Sequence, residues 1–143
     1  MAIEKVSPDK EKAKSLYKMA ISTYSMAQTI DQKRYPSNLI KEYYDVIREL
    51  VDITLLLKGY KVHGEGAHEE TLNLAYKQGT LTVTERLFSN ELRKMRNRIT
   101  YEGLFVDVDY ITRKKNEITS LIENLRKIAE RDLFGNSDGG TEK

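Results

Sequence analysis

From Leu39 to Leu57 the residues Leu39, Ile40, Tyr43, Ile47, Leu50, Val51, Thr54 and Leu57 recur at spacings mostly of three and four. That is the period of an α-helix and not of a strand. A helix this apolar must be covered on most of its circumference, which predicts the centre of a helical bundle. Pro36 suits the first helical position and Gly59 suits a left-handed end.

The same period organises the rest of the chain. Ser7-Pro8 predicts the start of a first helix, with Ala13, Leu16, Tyr17, Ala20, Ile21, Tyr24 and Ala27 as its stripe and an end near Asp31. "YKVHGEGAHEE" breaks any periodicity and reads as the main loop. A short helix is expected from His68 to Lys77, with Leu72, Ala75 and Tyr76 inward and Gly79 at its end. Thr82 or Thr84 caps a fourth helix whose Phe88, Leu92, Met95 and Ile99 form a buried stripe. Gly103 stops it, and Asp107 or Asp109 caps a fifth carrying Ile111, Ile118, Leu121, Ile122, Leu125, Ile128, Ala129 and Leu133. The expectation is an all-α fold, an up-and-down antiparallel bundle of about five helices, four long and one short. One domain covers residues 1–133, and residues 134–143 form a disordered tail.

Composition narrows the chemistry. The chain has no Cys, which excludes disulfides and thiolate–zinc sites. Charged residues make up 32% with a net charge of +2, as expected of solvated, salt-bridged helix faces. No apolar run approaches the roughly 18 residues of a membrane span. The polar start "MAIEKVSPDKEK" lacks the apolar core of a signal peptide, so the expected location is cytoplasmic. No cofactor or metal is called for. His63 and His68 are separated by a Gly-containing loop with no third strong ligand specified.

The segment "LRKMRNRITYEG", Leu92 to Gly103, carries the functional question. From Glu85 to Arg98 five basic side chains stand against two acidic ones, a local charge of +3. If Leu92, Met95 and Ile99 face the core, Arg96 lies beside that face and needs an acidic partner, a phosphate or a second subunit. "TRKKN", Thr112 to Asn116, adds three basic side chains at the start of the next helix. A basic patch across the two helices attracts RNA or nucleotide phosphates. The plain alternative is a solvated helix face.

The order of these features, "SNLIKEYYDVIRELVDITLLLKGYK", then "GEGAHEE", then "LRKMRNRITYEG" and a long final helix, resembles the HEPN family of nucleotide-binding domains. The resemblance spans roughly Pro8 to Leu133 and is strongest to small stand-alone prokaryotic members. It implies a helical bundle that forms homodimers. It also implies a two-component, toxin–antitoxin-like setting with a minimal nucleotidyltransferase partner. Many members of that family are metal-independent endoribonucleases whose motif is an Arg, a polar residue and, further along, a His. Arg96 and Asn97 match the first two, and Tyr101 stands where the His is expected.

Tyr, with a reference pKa of about 10, is a poor base near neutral pH, whereas His at about 6.5 is a good one. Tyr101 can still donate a hydrogen bond to phosphate or stack on a base. The resulting expectation is an RNA- or nucleotide-binding homodimer using Arg93, Arg96, Asn97, Arg98 and Tyr101, with cleavage weakened or lost. Two readings stand beside it. One is a working endoribonuclease with Arg96 and Tyr101 as its altered catalytic pair. The other is a protein-interaction module in which the Arg side chains pair with carboxylates inside one subunit. Tyr17, Tyr24 and Tyr43 read as core, and His68 as a capping or packing residue at a helix start.

Overall fold

The computed structural model describes residues 2–135. Five helices follow one another: α1 (Lys10–Ala27), α2 (Pro36–Leu57), α3 (Ala67–Lys77), α4 (Val83–Glu102) and α5 (Val108–Phe134). They form the antiparallel helical bundle that the periodicity predicts. Two short strands join them, β1 (Ala2–Lys5) and β2 (Tyr60–His63). None of the helices among the described residues is long and apolar enough to cross a membrane.

α2 is the axis. It packs against α1, α3, α4, α5 and β2. Beyond the predicted stripe, Tyr44, Val46, Ile53 and Leu55 are also buried, so apolar side chains leave α2 in nearly every direction. Each fully buried aliphatic side chain of this kind contributes about 1.5–3 kcal/mol. Pro36 occupies the first turn, and the helix runs out at Leu57 just before Gly59 adopts a positive φ.

The helix ends follow local chemistry. α1 starts at Lys10, because Asp9 and not Ser7-Pro8 supplies the cap: its carboxylate accepts from the Lys12 N–H at 3.0 Å. Thr82 caps α4 in a reciprocal box with Glu85, an arrangement worth about 1 kcal/mol. Gly103 ends α4 in the left-handed conformation, and Asp107 caps α5.

Several expectations are corrected. Leu16 faces outward, since the buried residues of α1 step through Ala13, Tyr17, Ala20, Tyr24 and Ala27 and leave it off the stripe. Tyr76 also points outward and stacks under the Arg86 guanidinium at 4.8 Å, while Thr71 and Leu74 join the core. Met95 and Ile99 are only partly buried. Phe134 belongs to α5 rather than to a tail, and its ring meets Tyr17 edge-on at 6.0 Å. The remaining tail residues, 136–143, lie outside the described residues.

The two-stranded sheet of β1 and β2 was not expected. It pairs Ala2 with His63 and Lys5 with Tyr60 in antiparallel register. Its ladder is prolonged by the Val6 N–H donating to the Gly59 carbonyl at 2.8 Å. This pins the chain start to the α2 exit. At Gly59, with φ of 85°, an added Cβ meets the Val6 carbonyl oxygen at 2.9 Å. Gly59→Ala is therefore expected to destabilise the fold by about 1–3 kcal/mol, read as a lower midpoint in denaturant unfolding with an unchanged slope.

Candidate anion-binding cleft

α4 presents the basic segment, and its neighbours decide what each cation does. The two acids of this segment, Glu85 and Glu91, are both engaged away from its cations. Glu85 is spent on the cap, and Glu91 accepts from the Tyr110 hydroxyl at 2.6 Å. Arg93 donates from Nε to Asn90 Oδ1 at 2.8 Å and reaches Glu69 of α3 at 3.8 Å. Arg98 pairs with Glu102, one turn on, at 3.3 Å on the exposed face. Lys94 makes no ion pair among the described residues.

Arg96 finds its acidic partner on α2. Its Nε lies 3.6 Å from Asp45 Oδ1, and both side chains are about three-quarters buried. The separation gives an ion pair but no hydrogen bond. Arg96 Nε and Asp45 Oδ1 are both buried atoms without a hydrogen-bond partner, and so is the Tyr44 hydroxyl. Burial pushes the Tyr44 hydroxyl up to about 12, against the pull of Arg48, Arg93 and Arg96. Three polar atoms with unused bonding capacity thus sit where α2 and α4 meet, an unusual density for a folded interior.

Arg96 also lines a cleft between α4 and the loop into α3. Arg93, Arg96, Asn97 and Tyr101 line one wall, and Gly64 to Glu69 line the other. The second wall is the start of an α-helix. Gly66, in the left-handed region, occupies the cap position and offers no side chain to it. The Ala67 and Glu70 N–H groups bond back to Gly64 and Gly66. No acceptor takes the His68 or Glu69 N–H among the described residues. Free amides at a helix start favour an anion. Glu65 and Glu69 work against one, so the cleft is mixed in charge rather than uniformly basic.

The structure brings Arg93, Arg96, Asn97 and Tyr101 to one cleft and leaves Arg98 outside it, facing a second groove with Lys94. None of Thr112 to Asn116 lines the cleft. Lys114 lies over the Phe88 ring at 5.6 Å and beside Glu117, and Arg113 pairs with Asp109. The basic side chains of α5 are thus not part of this cleft.

His68 stands at the start of α3, as the sequence reading has it, but in a setting that reading did not foresee. It lines the same cleft as Arg96 and Tyr101. Desolvation lowers its pKa first, and then the positive charges of Arg48, Arg96 and Arg93, with Asp45 opposing. Asp45 and Arg48 are the other additions, and nothing in the basic segment itself points to them. Comparison with protein-family models, with curated proteins and with solved structures gave no match. The site therefore rests on its own chemistry.

That chemistry is a set of donors, Arg93, Arg96, Asn97, Tyr101 and helix-start amides, around an imidazole kept neutral at pH 7. His68 is expected to titrate below the ordinary 6.5. Arg96→Met is expected to shift its midpoint upward, because one of the depressing charges is gone. Imidazole proton NMR across a pH series checks both.

Proposed function

We propose that this protein binds RNA or a nucleotide by gripping phosphate in the cleft between α4 and the start of α3. The observation that carries the reading is the convergence of Arg96, Asn97 and Tyr101 with the uncapped α3 start. Arg96 supplies a planar fork suited to a phosphate. Asn97 and Tyr101 add neutral donors, and Arg93 adds charge. Arg98 contributes attraction from the adjacent face. The resemblance to HEPN domains supports the same ligand class and adds a homodimer paired with a nucleotidyltransferase-type protein. Leu16, Met19 and Met26, exposed along one side of α1, supply apolar surface that such assembly can cover.

A second reading, retained cleavage activity, is favoured by the position of His68. RNA cleavage by the ribose 2′-hydroxyl needs a base, and a neutral imidazole beside an Arg is better placed for that than Tyr101. The Arg96–Asp45 pair favours a third reading, an interaction module whose Arg side chains are satisfied inside one subunit. The pair is too long for a hydrogen bond, and for that reason we rank phosphate binding first.

Arg96→Ala is expected to weaken binding of a labelled mixed RNA by about ten- to a hundredfold and to flatten its salt dependence. Fluorescence anisotropy at several salt concentrations measures both. Incubating the same RNA without metal tests for cleavage. Unchanged RNA affinity in Arg96→Ala would overturn the phosphate reading and leave the interaction module.

A further inference from the structure

The cleft contains a side chain whose charge can change near neutral pH. His68 occupies the first turn of α3, one position inside the helix start, and lines the cleft together with Arg93, Arg96, Asn97 and Tyr101. It is exposed enough to exchange a proton with water. Phosphate gripping gives Arg96 and the free amides a task and leaves this imidazole without one.

The surroundings of His68 favour different charge states in an empty and in an occupied cleft. Desolvation is the first cause that keeps the ring neutral. Arg48 of α2 and Arg96 and Arg93 of α4 add to it, and Asp45 of α2 opposes them. The positive end of the α3 dipole acts in the same direction as the guanidinium groups. From its own loop and helix, Glu65 and Glu69 line the cleft, and Glu69 reaches toward Arg93 at 3.8 Å. β2 also packs against α3, and its His63 is turned to Glu4 of β1 at 3.3 Å.

An anion reverses this balance. A phosphate between Arg96 and the start of α3 brings negative charge into the cavity that His68 lines, and it offsets the positive charges that keep the proton off. An opposite charge nearby favours the charged form of an imidazole. Proton and phosphate then support each other, and each raises the affinity for the other.

We infer that His68 makes phosphate binding in this cleft proton-linked: the imidazole takes up a proton from water as the anion seats beside Arg96, so the cleft holds phosphate more tightly as pH falls. The inference rests on the phosphate reading of the cleft and adds its regulation. The sign follows from two midpoints. The empty cleft keeps the His68 midpoint below the ordinary 6.5, and the occupied cleft raises it. Affinity is level above the occupied midpoint. It climbs as pH falls through the interval between the two, and levels off again below the empty one.

Two carboxylates on α2 also titrate higher than usual. Burial pushes Asp52 up to about 6 against the pull of Arg48, and burial raises Glu49 as well. Both line a different cavity, with Leu16 and Met19. Asp52 nevertheless shares Arg48 with the surroundings of His68, so its own protonation is a rival source of pH dependence.

The test is calorimetric titration with oligouridine RNA that carries no terminal phosphate, since a terminal group itself titrates near about 6. Affinity is measured from about pH 5.5 to about pH 8, the range in which an imidazole changes charge. Two buffers of different ionisation enthalpy report proton uptake. The proteins are wild type, His68→Gln, His68→Lys, Asp52→Asn and Arg96→Ala. Wild type is expected to bind about three- to tenfold more tightly at the acid end, with net proton uptake. His68→Gln keeps the weaker affinity at every pH and takes up no proton. His68→Lys keeps the tighter affinity throughout, because its charge is fixed. Asp52→Asn behaves as wild type.

Affinity that depends on Arg96 but is the same at every pH overturns the proton link and leaves the phosphate reading standing. A pH dependence that survives in His68→Gln also overturns it, and loss of that dependence in Asp52→Asn assigns it to the α2 carboxylate. The same holds if His68→Lys binds no better than His68→Gln, because charge at this position is then without effect. No binding of RNA by the wild type overturns both readings.

Discussion

The burial of α2 on almost every side constrains the rest of the molecule. Val46, Ile47, Leu50, Val51, Ile53 and Thr54 are all at 0% exposure, so polar side chains are confined to one narrow strip of the helix. Asp45, Arg48, Glu49 and Asp52 occupy that strip, and Arg48 donates to Asp52 at 3.2 Å. Any helix that crosses the strip must bring polar groups to meet it. α4 brings Arg96, and the cost of burying Asp45 is offset by an opposite charge in the same place.

This origin explains why the cleft combines structural and binding features. Arg96 helps to neutralise a largely buried carboxylate, which is a task internal to one subunit. It does so at 3.6 Å, and neither its Nε nor Asp45 Oδ1 completes a hydrogen bond. The charge of Asp45 holds the guanidinium in place with Nε buried, and the part of the side chain that lines the cleft is left to donate to an anion there. The glycine turn at Gly64 to Gly66 adds a helix start with no side-chain cap, so amide donors remain available where a Ser or Asp would have consumed them.

The helices were legible because each rests on signals within a single turn or two. The α5 stripe from Ile111 to Leu133 and the Gly103 stop are of this kind, and so is the Thr82 cap. Leu16 was misread because α1 satisfies two overlapping three-and-four patterns, and only its packing against α2 and α5 selects the one through Tyr17. The small sheet left no local trace: β1 is four residues with every side chain exposed, and its partner lies beyond the whole of α1 and α2 in the chain. At the candidate site, Arg93, Arg96, Asn97 and Tyr101 could be picked out because they share one helix. Arg98, on the same helix, turned to the other face by its position in the turn.

The sequence by itself determined that five helices form, roughly where each lies, and that α2 is the covered one. It also determined that α4 carries an excess of positive charge next to a Tyr. These follow from periodicity, capping and composition, which act over a few residues. Only the tertiary structure decided that Arg96 is answered by Asp45 and that His68 stands in the same cleft. It alone set the lysines of Thr112 to Asn116 apart from that cleft. Those outcomes depend on how helices cross, and a crossing brings together residues whose separation in the chain is far longer than the reach of any local pattern.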